Sequence, residues 1–304
     1  MAITVLVPDD HGMAALGGVE GVHLLRFDRG EPLPPGGDEA EVLIPGMPGG
    51  AHAKAIVPLL PKLRLVQLLS AGAEAWIGAL PEGVQLANCR GAHGGSTAEW
   101  VVAALLSIYR DMRDFDHAQA ARTWAFHRAD TLQGKKVLVI GAGDLGRQLR
   151  RRLEPFDAQV TLVGTTARDG VRSVHELPSL LGTHDAVVLM VPLTDRTTGM
   201  VDAKFLALMP DGAILVNAAR GVVVDTDALL AELSAGRLRA ALDVTEPEPL
   251  PADHPLWTAP GLLLTPHVAG TVTGQLDRAY AVAAKQIAQF AAGKEPDNLV
   301  RGEY

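Results

Sequence analysis

The sequence predicts an α/β protein whose larger part is a doubly wound parallel sheet. Three observations predict it. Residues 136–168 read KVLVIGAGDLGRQLRRRLEPFDAQVTLVGTTAR, where an apolar run at 137–140 stops at a G-x-G-x-x-G turn. A segment with Leu145, Leu149 and Leu153 at helical spacing follows, and a second apolar run occupies 160–163, so the glycines sit in the strand–turn–helix–strand context that gives the motif its meaning. From 136 to 267 six apolar runs (KVLVI, QVTLVG, DAVVLMV, AILVNAA, LRAALDV, LLLTPH) alternate with helical patterns, as βαβ units require. The first hundred residues repeat the alternation in ITVLVP, VHLLRF, EVLIPG, RLVQLL and VQLANC, which predicts a second, smaller parallel α/β domain.

Size and charge set the remaining bounds. The chain has 304 residues, 48% hydrophobic and 20% charged, enough for two ordinary soluble domains. Its formal net charge of −8 gives nucleic-acid binding no electrostatic support. The single cysteine, Cys89, excludes an internal disulfide and a cysteine-rich metal site, and its place in an apolar run predicts burial. No His/Cys/Asp cluster has ligand spacing, so no metal is expected. The N-terminus opens as a strand without a basic, apolar leader pattern, and no apolar run is long enough to span a bilayer. A cytoplasmic location is the expectation.

In chain order, helices are expected at about 51–60 and 73–80, and the Pro/Gly-rich piece 31–38 (EPLPPGGD) reads as a surface loop. Ser70, Ala71, Gly72 and Ala73 lie between a strand and the next helix, where small residues leave backbone N–H groups open to an anion; an ordinary turn would look the same. Gly94 and Gly95 precede Ser96 and Thr97. Either hydroxyl is suited to cap a long helix running to about Asp116, with the glycines as a hinge near a domain boundary. The tail carries one amphipathic helix at about 275–292, placed to pack back on the first domain.

The glycine motif predicts a dinucleotide site. Gly141 allows the tight turn, Gly143 lets a pyrophosphate approach the backbone, and Gly146 lets the helix pack closely on the sheet. An NAD site usually has an acidic residue after the second strand, for the ribose hydroxyls. Here the chain reads Gly164-Thr165-Thr166-Ala167-Arg168, and Asp169 comes late. Hydroxyls and a guanidinium suit a 2′-phosphate better, so NADP is favoured over NAD.

Ligands of doubly wound sheets sit outside the strands' carboxyl ends, and three ends carry chemistry. One reads Asn217-Ala218-Ala219-Arg220-Gly221, the next Asp243-Val244-Thr245-Glu246-Pro247-Glu248-Pro249, the last Thr265-Pro266-His267-Val268-Ala269-Gly270. Taken singly, each charged residue is an ordinary surface group; together at one sheet edge they form a set suited to reducing a 2-keto acid. The Arg would bind the carboxylate and polarise the carbonyl, the His would deliver the proton, and a carboxylate would fix the imidazole's tautomer and favour its protonated form.

With these residues in view, the chain resembles the D-isomer-specific 2-hydroxyacid dehydrogenases, the group that includes glyoxylate/hydroxypyruvate reductases and phosphoglycerate dehydrogenases. The resemblance covers nearly the whole chain and rests on SAGAEAW, GGSTAEWVVAALL, VIGAGDLGRQLRRRL, VPLTDRTTGMV, LVNAARGVVVDTDAL, ALDVTEPEPLPADHPLW and LLLTPHVAG. It implies a Rossmann domain (98–270) inserted into a smaller flavodoxin-like substrate domain (1–97 plus 271–304). It further implies a homodimer, Arg220 as the substrate-binding arginine, Glu248 as partner of the acid/base His267, and Ser70, Ala71, Gly72 and Ala73 as the substrate-carboxylate loop. Cofactor contacts are implied at Thr97, Asp144, Leu145, Val191, Pro192, Thr198, Asn217, Ala218, Ala219, Asp243 and Gly270, beside Gly141, Gly143, Gly146, Gly164, Thr165, Thr166, Arg168 and His267.

Two departures narrow the reading. NADP-using relatives often carry an Arg where Thr165 stands, which leaves Arg168 to meet the phosphate. The short N-terminal domain argues against a long, allosteric phosphoglycerate dehydrogenase. Formate dehydrogenases carry Gln where Glu248 stands, which disfavours that activity. The expected activity is NAD(P)H-dependent reduction of a small 2-keto acid; a dinucleotide-sensing, corepressor-like protein on the same fold is the alternative.

Overall fold

A computed structural model describes residues 2–28, 30–47 and 51–302, and the chain divides into two compact units, Met1–His93 with Thr273–Tyr304, and Gly94–Val272. The first unit is built on five parallel strands: β1 (Ile3–Val7), β2 (Val22–Arg26), β3 (Val42–Leu43), β4 (Leu65–Gln67) and β5 (Gln85–Ala87), in the order β2-β1-β3-β4-β5. This is the flavodoxin-like order. Alternate residues of β1 face opposite sides. Val5 and Val7 pack in one cluster and Leu6 in another, so both faces are covered and the strands read as continuous apolar runs. Helices α1 (Asp10–Leu16) and α2 (Ala51–Ile56) follow the first and third strands.

The segment 73–80 forms turns rather than the expected helix. Gly78 takes φ 72°, a left-handed conformation that stops a helix inside this segment, and Pro81 follows three positions later. Cys89 is fully buried, and burial pushes its thiol up to about 12, which makes it inert as a nucleophile.

The second unit opens with α3 (Gly94–Tyr109), which begins two residues before the expected cap. A Cβ at Gly94 would lie 2.2 Å from Asp144 Oδ2, so the start of the helix packs directly against the Asp144 side chain. The helix also stops earlier than expected. Asp111 adopts φ 49°, breaking it from α4 (Met112–Ala120), and its carboxylate pairs instead with His127 at 3.1 Å.

Seven parallel strands follow: β6 (Lys136–Ile140), β7 (Gln159–Gly164), β8 (Val171–Ser173), β9 (Ala186–Leu189), β10 (Ile214–Asn217), β11 (Arg239–Leu242) and β12 (Leu262–Leu264), ordered β12-β11-β10-β9-β6-β7-β8. The order reverses between β6 and β9, the switch point of a Rossmann sheet. Six of these strands were legible as apolar runs. The seventh, β8, is three residues long with one apolar side chain, too little to carry a pattern.

Helices α5 (Asp144–Leu153), α6 (Leu177–Leu181), α7 (Ala203–Ala207) and α8 (Thr226–Ser234) cover the sheet. Val137 and Val139 pack with Val101, Leu105 and Leu149 on one face; Leu138 and Ile140 pack with Leu181, Phe205 and Leu229 on the other. The last helix, α9 (Gln275–Ala291), belongs to the first unit. There Tyr280, Ala283 and Ile287 complete the core against Val5 and Val7, and the Tyr280 hydroxyl reaches the Asp9 carboxylate at 3.0 Å. No helix among the described residues is long and apolar enough to cross a membrane.

Candidate active site

Three neighbouring strands, β10, β11 and β12, end on one side of the larger sheet, and the loops that leave them carry Arg220, Glu248 and His267. The buried Asn217 closes the loop after β10: its Nδ2 donates to the Arg220 carbonyl (2.9 Å) and its Oδ1 accepts from the Ala219 N–H (3.0 Å). Arg220 therefore leaves the sheet on a fixed backbone, and its Nη1 donates to the Ala219 carbonyl. Gly221 touches the next loop so closely that a Cβ there would sit 1.9 Å from the Thr245 carbonyl. The Thr226 hydroxyl donates to the Glu246 carbonyl across the same junction. The Arg220 loop and the Glu248 loop are thus locked together.

Asp243 does the same for the last two strands. Its carboxylate is buried and accepts three hydrogen bonds, from the Thr265 hydroxyl (2.6 Å), the Val268 N–H (2.8 Å) and the Ala269 N–H (2.9 Å), while its carbonyl accepts the His267 N–H at 2.7 Å. His267, at the centre of this clamp, has φ 54°. The left-handed conformation costs a side-chain-bearing residue about 1–2 kcal/mol and persists where the surroundings over-determine it.

The turn presents the imidazole to Glu248, with Nδ1 and Oε1 2.6 Å apart. An ionised carboxylate only accepts hydrogen bonds, so Nδ1 carries the hydrogen and Nε2 remains for proton exchange. Both side chains are about half exposed. They open on a pocket of about 380 Å³ lined also by Leu250, Trp257 and Leu264.

At the switch point, Gly141 has φ 119° and a Cβ on it would meet the Met190 carbonyl at 2.2 Å; a Cβ on Gly146 would meet the Gly141 carbonyl at 2.0 Å. Gly143, between them, faces open space, and no side chain caps the start of α5. Free N–H groups at a helix start beside an open backbone suit a pyrophosphate, so a dinucleotide fits here. Leu145 is half-buried in the first turn of α5, and Asp144 places one carboxylate oxygen in a buried position against Gly94.

Beyond β7, Thr165, Thr166 and Arg168 are exposed. The chain doubles back there, Arg168 and Val171 exchanging backbone hydrogen bonds across a tight turn, so that Arg168 Nη2 reaches the Ala142 carbonyl at 3.2 Å. Val191 and Pro192 follow β9, and Thr198 donates to the Thr194 carbonyl in the same loop. Ala218 and Ala219 line the Arg220 loop, Gly270 follows the Asp243 clamp, and Thr97 is buried in α3. In the first unit, the Ser70 hydroxyl donates to the Gly72 carbonyl (2.7 Å), Asn88 Nδ2 donates to the Ala71 carbonyl (2.9 Å), and Ala73 is buried.

Residues 102–269 match the family model for the D-isomer specific 2-hydroxyacid dehydrogenase NAD-binding domain. The chain belongs to the D-isomer specific 2-hydroxyacid dehydrogenase family. A glyoxylate reductase of Thermofilum pendens is 31% identical over 80% of this chain and 76% of its own length. A mitochondrial formate dehydrogenase of Solanum tuberosum is 33% identical over 62% of this chain and 53% of its own. The crystal structure of a D-isomer specific 2-hydroxyacid dehydrogenase from Xanthobacter autotrophicus, in complex with NADPH and MES, superposes with a TM-score of 0.83 at 29% identity, covering 99% of this chain and 98% of the other.

Within this dehydrogenase, sequence reading passed over the structural duty of Asp243. The signal was present: a carboxylate at the end of the apolar run LRAAL is affordable only when neighbours satisfy it. Asp243→Asn replaces one acceptor oxygen by a donor facing backbone N–H groups. The expected result is a loss of about 2–3 kcal/mol of stability in chemical denaturation, with turnover reduced because the His267 turn loosens. Unchanged stability and turnover would remove Asp243 from this role.

Proposed function

We propose that this NAD(P)-dependent 2-hydroxyacid dehydrogenase reduces a small 2-keto acid to the D-2-hydroxy acid, reversibly, and favours NADPH. The observation that carries the catalytic part is the 2.6 Å contact of His267 Nδ1 with Glu248, on a turn clamped by Asp243. When bound, the nicotinamide supplies the hydride to the keto carbon and takes it back in the oxidative direction. His267 gives the proton to the carbonyl oxygen from Nε2, and Glu248 stabilises the imidazolium that precedes transfer. Arg220 pairs with the substrate carboxylate and polarises the carbonyl. The backbone of Ser70, Ala71, Gly72 and Ala73 offers further donors to the carboxylate.

Gly141, Gly143 and Gly146, with the backbone of Asp144 and Leu145, would hold the pyrophosphate. The fourth lone-pair position of the Asp243 carboxylate would accept from the nicotinamide amide. Glu248, rather than a glutamine, favours hydroxyacid over formate chemistry, and the assembled His267–Glu248 pair disfavours a purely sensing role.

The test is a panel of 2-keto acids. His267→Gln is expected to lower kcat about 10²–10⁴-fold. Arg220→Lys should lower kcat/KM about 10–100-fold with cofactor affinity unchanged. Equal losses in substrate and cofactor parameters for Arg220→Lys would remove the arginine from substrate binding.

The cofactor part rests on Arg168 and on the lack of a carboxylate from 164 to 168. The enzyme is expected to use NADPH at least as well as NADH, and Arg168→Ala to weaken NADPH selectively, read as kcat/KM for each cofactor. A wild-type enzyme that strongly prefers NADH, with Arg168→Ala indifferent, would overturn the preference.

The same reading takes the protein as a cytoplasmic homodimer. Trp124 and Phe126 are 95% and 86% exposed, on a stretch after α4 that forms neither helix nor strand. Large aromatics placed so are suited to a partner surface. Sedimentation should give a dimer, and replacing both aromatics by Ser should shift it toward monomer; a monomeric wild type would sink this assignment.

A further inference from the structure

Helix α5 and the doubled-back chain after β7 border an open pocket of about 340 Å³, whose lining includes Arg147, Arg150, Arg151, Arg168, Glu154 and Asp169. Two of these arginines converge on a single acceptor: Arg147 Nη1 donates to the Ala142 carbonyl at 3.1 Å and Arg168 Nη2 to the same oxygen at 3.2 Å. Arg150 is already neutralised by Glu154, its Nε 2.7 Å from the carboxylate. Among the described residues, no carboxylate lies within ion-pair distance of Arg147 or Arg168, although Asp169 is next in sequence. Two like charges gathered on one neutral oxygen repel each other, and an anion seated between them relieves the repulsion while gaining two charge-assisted, potentially bidentate bonds.

The backbone enforces the convergence. Arg147 stands in α5 immediately after Gly146, the glycine that packs that helix on the turn. Arg168 lies over Gly164, where a Cβ would lie 3.3 Å from its Nη1, and Gly170 at φ 68° turns the chain from it into β8. Ala142, the shared acceptor, is the second residue of the G-x-G-x-x-G turn, so the pair stands beside the site that fits a dinucleotide.

We propose that Arg147 is a specificity-determining residue, the second arm of a two-guanidinium cradle for a phosphomonoester dianion, the 2′-phosphate on the cofactor's adenosine ribose. The assignment rests on the NADPH reading above but adds a residue to it. Arg168 closes the cradle from the strand side and Arg147 from the helix side. Thr165 contributes only neutral donors, so the second positive charge comes from the helix.

The test measures binding by calorimetry, without turnover. The probes are 2′,5′-ADP and 5′-AMP, then NADPH and NADH, on wild type, Arg147→Ala, Arg147→Lys and Arg168→Ala. Arg147→Ala is expected to weaken 2′,5′-ADP and NADPH about tenfold or more while leaving 5′-AMP and NADH within about twofold, with Arg147→Lys between it and wild type. Wild type that binds 2′,5′-ADP more tightly than 5′-AMP, with Arg147→Ala unchanged, overturns the role of Arg147 and leaves the NADPH reading standing. Equal weakening of all four probes by Arg147→Ala overturns it as well, since the residue would then support the turn itself. Wild type with no preference for the 2′-phosphate overturns both.

Discussion

The active edge of this molecule depends on one buried carboxylate. Asp243 joins the ends of two adjacent parallel strands by accepting from a hydroxyl and two backbone N–H groups. A carboxylate taken out of water is costly unless such donors replace its hydration. Here the satisfied carboxylate sets a turn, and the turn holds His267 in a backbone conformation that an unconstrained histidine seldom adopts. The imidazole then meets Glu248 with no search of its own. Preorganisation of this kind fixes the imidazole before any ligand arrives, as the proposed proton-donor role requires.

The neighbouring junction works by shape rather than charge. Gly221 lets two loops pass where any side chain would strike the Thr245 carbonyl, and Asn217 ties off the Arg220 backbone from inside. Arg220, Glu248 and His267 come from three consecutive strands of one sheet, so their shared location follows from parallel pairing: every strand ends on the same side, and every loop there is a chance to add a functional group. The opposite end of the strands gathers none of these groups.

At the switch point the molecule uses the same economy. The glycine turn presents backbone N–H groups and open space to a phosphate, and the chain beyond β7 folds back without a crossover helix. Along that short return Arg168 Nη2 reaches the carbonyl of Ala142 while the residue stays exposed.

Much of this was legible in the amino-acid order. Buried parallel strands must be apolar on both faces, so they appear as unbroken runs, and a glycine turn between strand and helix has a fixed spacing; both sheets and the residues at their ends followed from those two facts. The family resemblance rested on the same stretches. Local pattern failed where a distant contact overruled it. Helix α3 starts at Gly94, packed against the Asp144 side chain, and it breaks at Asp111, whose carboxylate turns to His127; residues 73–80 stay in turns for a local reason, the left-handed Gly78 inside the segment. The strand β8 was too short to show a period. The sequence by itself determined the sheets, the dinucleotide turn and which residues carry charge at the active edge, because these depend on hydrophobic periodicity and near neighbours. Only the tertiary structure decided that Asp243 clamps His267 and that Arg147 and Arg168 meet on one carbonyl, because those pairings join residues 24, 25, 26 or 21 positions apart that approach only after the sheet has formed.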